Sequence, residues 1–244
     1  MRGFFVTGTD TNVGKTIVAA SLAVWAREAF GSAAVMKPVA TGAMWDRRER
    51  RWLSEDAALL RAASGCDAPW DWITPALYRE PLAPLTAAVR ERRPVRLKPI
   101  EAAFKRLTGR YPCIIVEGIG GLLVPLTPRS TVADLARSLG LPLIIVARTS
   151  LGTLNHTLLT IACARAAGLR IAGVICTNPE PPRANRMARL ARQSNPKWIR
   201  ELGRVPLLGV LPHLPACGSS QLGKRVLACR KLMRHLDTQQ LTNS

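Results

Sequence analysis

The chain is short of aromatic residues: Phe, Trp and Tyr make up 5% of its 244 residues. Its core must therefore be aliphatic and alanine-rich, within a hydrophobic content of 48%. Acidic residues are also few, 16 Asp and Glu against 35 Lys and Arg, which leaves a net charge of +19. No apolar run approaches the ~18–20 residues that cross a bilayer as a helix. The apolar stretch near the start is short and runs into a glycine-rich turn rather than a small-residue cleavage site. It is read as a first strand and not as a signal peptide. Cysteine pairing motifs are missing too. Cys66, Cys113, Cys163, Cys176, Cys217 and Cys229 are scattered with no CxxC among them. Cys113, Cys163 and Cys176 lie inside apolar runs, where a thiol behaves as a small core residue. Free thiols in a reducing cytoplasm are expected, not disulfides or a cysteine metal site.

Repeats, low-complexity linkers and a second domain are likewise absent from the pattern. What is present is an alternation of apolar runs with helical periodicity, the mark of an α/β fold with a mostly parallel sheet and helices on both faces. Strands are predicted at Phe4–Thr7, Ala34–Lys37, Cys113–Glu117, Leu143–Ala147, Ile171–Thr177 and Leu207–Leu211. Their continuous apolar character fits strands buried on both sides. Helices are predicted at Lys15–Ala29, Glu55–Ala63, Pro99–Leu107, Val132–Leu139, Leu154–Ala167 and Pro182–Gln193, with Gly140, Gly168 and Gly203 at helix ends. One domain over residues 1–217 is expected. Residues 218–244 are expected to form a basic extension, helical and then frayed.

The first strand ends in Gly8-Thr9-Asp10-Thr11-Asn12-Val13-Gly14-Lys15-Thr16, and a helical pattern follows. This is the setting of a phosphate-binding loop, where backbone N–H groups and a helix N-terminus face an anion. Lys15 would bridge the terminal phosphates, and the Thr16 hydroxyl would ligate Mg²⁺. The loop departs from the usual spacing, because Gly8 lies five residues before Gly14 and Thr9 replaces the usual glycine. The fold expected is a single-domain P-loop NTPase.

Further motifs follow in order: Lys37-Pro38-Val39-Ala40-Thr41-Gly42, Ser54-Glu55-Asp56-Ala57, Val116-Glu117-Gly118-Ile119-Gly120-Gly121, and Leu151-Gly152-Thr153-Leu154-Asn155-His156. Cys176-Thr177-Asn178 with Pro181-Pro182, and Pro206 through Pro212, complete the series. Together with the loop they resemble the dethiobiotin synthetase family. That resemblance implies an ATP-dependent enzyme that carboxylates 7,8-diaminononanoate with carbon dioxide and closes a cyclic urea. Carbamate, transferred phosphoryl and polyphosphate are all anionic, so such a site needs cations and oriented donors more than strong bases.

By resemblance, Lys37, Lys15 and Thr11 act on the reacting anions, and Thr41, Gly118, Leu151, Gly152 and Asn155 bind the substrate. Thr41 stands where the family pattern has serine, which keeps the hydroxyl and adds a methyl. Asn12, Val13, Gly14, Lys15, Thr16, Ile17, Asp56, Glu117 and Gly120 would hold the ATP phosphates and Mg²⁺, with Thr16, Asp56 and Glu117 as hard oxygen ligands. Asn178, Leu211, Pro212 and His213 would receive the base. The Leu151–Asn155 segment is implied to bind the substrate carboxylate of a neighbouring subunit, so a homodimer with shared sites is expected. A cobyrinate- or cobyrate-type amidation enzyme would add a glutaminase domain, for which there is no room. A partitioning-type switch ATPase would carry a lysine early in the loop, where this chain has Thr9-Asp10-Thr11.

The basic surplus could signal nucleic acid or an acidic membrane surface. Arg47, Arg48, Arg50 and Arg51 crowd one predicted loop, and Arg183, Arg186, Arg189 and Arg192 recur on one predicted helix. With no interleaved aromatic stacking and no nucleic-acid motif, these are read as solvated faces. Neither nucleic acid nor membrane is expected as a partner.

Overall fold

The computed structural model describes residues 2–179, 181, 186–213 and 222–243. In chain order the elements are β1 (Arg2–Gly8), α1 (Lys15–Phe30), β2 (Ala34–Met36), β3 (Val39–Ala40), β4 (Met44–Asp46), β5 (Arg51–Leu53), α2 (Glu55–Ser64), α3 (Trp70–Ile73) and β6 (Ala76–Leu77). There follow α4 (Pro84–Arg90), α5 (Leu97–Arg110), β7 (Cys113–Glu117), β8 (Pro125–Thr127), β9 (Ser130–Thr131), α6 (Val132–Leu139), β10 (Leu143–Arg148) and α7 (Thr153–Ala166). The last are β11 (Ile171–Thr177), α8 (Arg186–Gly203), β12 (Leu207–Val210), α9 (Leu222–Leu232) and α10 (Thr238–Asn243).

Six strands form one parallel sheet in the order β12-β11-β10-β1-β7-β2. In β10 and β11 alternation sorts the side chains between two cores. Ile144, Val146 and Ile175 join the core that holds α1 and the α9 residues Cys229 and Leu232. Ile145, Ala147, Val174 and Cys176 face Ile161 of α7 and Ile199 of α8. The chain crosses from β1 past β7 to reach β2, so neighbouring strands leave β1 in opposite directions. That is the switch point where such sheets open a ligand crevice at the strands' carboxyl ends. The phosphate loop after β1, Lys37 after β2 and Glu117 at the end of β7 all lie there.

All six predicted strands belong to this sheet. The expected helix Pro182–Gln193 differs most. Pro182 lies outside the described residues, and α8 runs on through Pro196 to Gly203. Proline removes one helical hydrogen bond. The surrounding turn is held by tertiary contacts: Asn195, Pro196 and Ile199 are buried, and Asn195 Nδ2 donates to Thr149 O at 2.8 Å. Arg47, Arg48 and Arg50 sit at the tip of a hairpin between β4 and β5, strands too short to show in the pattern, whereas Arg51 opens β5, is half-buried and pairs through Nη2 with Asp71 Oδ1 at 2.6 Å. Of the second arginine row, Arg183 lies outside the described residues, while Arg186 and Arg189 are exposed on α8. Cys217, Gly218 and the 217/218 division also lie outside the described residues. Helix α9 packs on α1 and α2, and beyond it Leu236 and Leu241 are buried. Five free cysteines are described: Cys66, Cys113, Cys176 and Cys229 are buried and Cys163 half-buried.

Candidate active site

Asn12 and Gly14 bend the phosphate loop with φ of 56° and 90°. Both are residue types that tolerate the left-handed region. The bend leaves the N-terminus of α1 open toward the crevice with no side-chain cap, so its first N–H groups remain available to an anion. Thr177 braces the loop from β11: its hydroxyl lies 2.6 Å from Val13 O and 3.2 Å from Ala147 O. Arg148 holds the other side, donating from Nη2 to Thr11 O at 2.9 Å. Neither bracing residue is legible in the loop motif.

Lys15 folds back and donates to Asp10 O at 2.8 Å. Gly8 makes this possible, because a Cβ there would stand 2.9 Å from Lys15 Nζ. Burial lowers the Lys15 pKa to about 8; Glu117 opposes that shift and Lys37 adds to it.

Lys37, Asp56, Glu117 and Thr16 form one cluster. Lys37 Nζ donates to Glu117 Oε1 at 2.6 Å and to Asp56 Oδ2 at 2.7 Å. The Thr16 hydroxyl lies 2.9 Å from Asp56 Oδ1 and 2.8 Å from Glu117 Oε1. Lys37 and Glu117 are almost fully enclosed, whereas the Asp56 side chain is 41% exposed. Burial alone would lower Lys37, but Glu117 and Asp56 hold its pKa above the ordinary lysine value. Burial would raise Asp56, yet Lys37 and the Thr16 hydroxyl keep it below the usual carboxylate range. For Glu117 burial wins over Lys37, with repulsion from Asp56 added, and its pKa is raised. Its second oxygen, Oε2, is buried and has no partner among the described residues. An unsatisfied carboxylate oxygen beside a hydroxyl and a second carboxylate is a donor set that suits a hard divalent cation.

These groups line a cleft of about 640 Å³ together with Thr11, Asn12, Gly14, Ile17, Thr41, Gly120, Asn178, Leu211 and Pro212. Val13 is buried under the loop. Gly118 places its carbonyl 3.5 Å from Lys37 Nζ. Asn178 is held in place, its Nδ2 donating to Leu211 O at 2.9 Å and its Oδ1 accepting from the Thr149 hydroxyl. Each end keeps one further bonding position for a base edge. The His213 ring does not line the cleft; its Nδ1 lies 3.1 Å from Asn178 O.

Three expected residues stand apart. Leu151 is 91% exposed and borders a second cavity of about 560 Å³, lined in part by Arg148, Pro181 and Asn195. Gly152, with φ of 89°, caps the start of α7, and Asn155 is exposed on that helix's first turn. The second cavity shares Thr177, Asn178 and Pro179 with the cleft.

A family profile described as an AAA domain matches residues 2–221. The ATP-dependent dethiobiotin synthetase BioD of Aromatoleum aromaticum is 43% identical over 221 residues, 91% of this chain and 95% of that protein. The protein of the same name from Bacillus velezensis is 36% identical over 243 residues, 100% of this chain and 97% of its own length. Among solved structures, the cell division ATPase MinD of Pyrococcus furiosus superposes with a TM-score of 0.59 at 16% identity, covering 99% of this chain and 98% of that one. That likeness concerns the P-loop NTPase fold. The sequence relatives carry the narrower assignment: the chain belongs to the ATP-dependent dethiobiotin synthetase family.

Proposed function

We propose that this chain carboxylates 7,8-diaminononanoate with carbon dioxide and closes its ureido ring at the expense of ATP, giving dethiobiotin, ADP and phosphate. The observation that carries this reading is Lys37, enclosed with Asp56 and Glu117 at 2.7 and 2.6 Å beside the phosphate loop, in a chain 43% identical to a dethiobiotin synthetase.

One amine adds to carbon dioxide and loses a proton to give a carbamate. A carbamate oxygen then takes the terminal phosphoryl group, and ADP leaves. The second amine attacks the carbonyl carbon, phosphate departs, and the ring closes. Each intermediate is an anion next to another anion, so charge stabilisation is the main demand. Lys15 and the N–H groups from Asn12 to Ile17 face the polyphosphate. Lys37 serves the carbamate by rotating its side chain away from the acids while its backbone stays fixed, with Lys37 N donating to Ile73 O at 2.7 Å. Thr11 and Thr41 offer hydroxyl donors on the same cleft. Thr16, Asp56 and Glu117 would hold Mg²⁺, which supplies positive charge to the nucleotide phosphates when bound. Asn178, Leu211 and Pro212 receive the base, and His213 steadies the Asn178 backbone.

Leu151, Gly152 and Asn155 lie off the cleft, so within one chain they are not part of its wall. With the family resemblance, this supports a homodimer in which the α7 N-terminus of one subunit takes the carboxylate tail bound at its partner's site. The free thiols suit a reducing cytoplasm, where we place the enzyme.

The test is ADP release with bicarbonate, Mg²⁺ and the diamine. Release should require the diamine and disappear in Lys37→Ala. Release indifferent to the diamine would overturn the proposal.

A further inference from the structure

Helix α9 turns one face toward the body of the protein. Cys229 and Leu232 on that face are buried, and Leu222, Val226 and Met233 pack against the core. Arg225 sits among them, one turn before Cys229 and two turns before Leu232, positions that share a face on a helix. A guanidinium on a packing face is normally paired, because an isolated buried cation is costly. Its neighbour Arg230 lies on the exposed side of the helix, with Nε 2.9 Å from Glu28 Oε1. Among the described residues Arg225 has no such ion pair or hydrogen bond. Arg225 is half-buried and lines the same cleft as Lys15, Thr16 and Asn178, where Leu232 joins it.

We infer that Arg225 is a nucleotide-binding residue and that α9 is one wall of the nucleotide site. Guanidinium offers five donors and no acceptor. It therefore suits the oxygens of a nucleotide, phosphate or ribose, and not the adenine amino group. Before carboxylation the reacting end of the diamine carries no oxygen acceptor, so the free diamine's amines are not what Arg225 holds. The α9 backbone has the anchorage this task needs: the buried Cys229 and Leu232 fix it against α1, the helix that begins at Lys15. The inference rests on the proposed nucleotide site and adds to it a residue that lies outside every recognisable motif.

The test is calorimetric titration of the intact protein with ADP, AMP and tripolyphosphate, comparing Arg225→Met with Arg230→Met. Both variants lose one charge, but only Arg225 borders the cleft. Arg225→Met should weaken ADP about tenfold, the loss of one charge-assisted contact, while Arg230→Met stays within about twofold of the parent. A loss shared by tripolyphosphate places the contact on the phosphates, and a loss shared by AMP but not by tripolyphosphate places it on the nucleoside half. Either supports the inference. Unchanged ADP affinity in Arg225→Met, or equal losses in the two variants, would overturn it. A change confined to the KM for the diamine would overturn it as well. Diamine-dependent turnover in the parent protein tests the proposed function separately.

Discussion

Replacing Lys37 by Met removes the one cation among the described residues that contacts both Asp56 and Glu117. Among the described residues Glu117 is then left enclosed with its Oε2 still without a partner and only the Thr16 hydroxyl at Oε1. Breaking a buried pair by removing one partner costs about 3–5 kcal/mol. For a chain of this length, 1 kcal/mol shifts the unfolding midpoint by roughly 2–4 °C, so a fall on the order of 10 °C is expected at pH 8. The sign with pH follows from Glu117. Its pKa is already raised by burial, and losing Lys37 raises it further. A carboxylate whose folded pKa exceeds its unfolded value destabilises the fold only where it must be charged. The penalty should be full above the raised pKa and fade as pH falls through it toward 5. Millimolar Mg²⁺ without nucleotide should recover part of the loss, because the cation takes the place of the ammonium group. Scanning calorimetry of parent and variant from pH 5 to 8, with and without Mg²⁺, measures all of this. An unchanged midpoint, or a loss flat in pH and indifferent to Mg²⁺, would refute the reasoning.

Three further outcomes are expected. Lys15, lowered to about 8 chiefly by burial, should regain its proton when phosphates bind beside it. Nucleotide binding at pH 8 should therefore take up about half a proton, and affinity should fall as pH rises above 8; titration calorimetry in buffers of different ionisation heat reads the uptake, and proton release would contradict it. Gly8→Ala should weaken ATP binding by tenfold or more, since the new Cβ meets the loop backbone at Asp10 O at 2.9 Å and Val13 Cγ2 at 2.8 Å; equilibrium binding of a fluorescent nucleotide checks this. Mixing inactive Lys37→Met with an Asn155→Ala variant impaired in diamine KM should restore activity if sites are shared between subunits, because a heterodimer holds one intact site; additive, unrestored rates would argue for sites complete within one chain.

The long elements were legible because burial on both faces writes itself into sequence. Phe5, Val116, Ile144 and Ile175 sit in continuous apolar runs, and each such run became a strand of the sheet. The β3–β6 and β4–β5 pairs were not, since strands of two or three residues carry no period. The aromatic interleaving missing from the linear pattern exists in space: Trp45 meets Trp52 edge-on at 5.9 Å, and Arg79 lies over Trp52 at 4.7 Å. Helix α8 runs ten residues beyond the predicted end at Gln193, through Pro196, because packing overrides that local breaker. In the site, Lys37, Asp56 and Glu117 were each visible at a strand or helix end. Their mutual contact was not, because 80 residues separate Lys37 from Glu117 in the chain. Thr177 and Arg225 reach the cleft from β11 and α9, and Arg148 holds Thr11 from β10; only the fold brings them there.

The most direct test of the proposed chemistry is product analysis by mass spectrometry with ¹³C-bicarbonate, the diamine and MgATP. One labelled carbon should appear in dethiobiotin for each ADP released, and neither should form in Lys37→Met. ADP release without label in a cyclic urea would contradict the assignment.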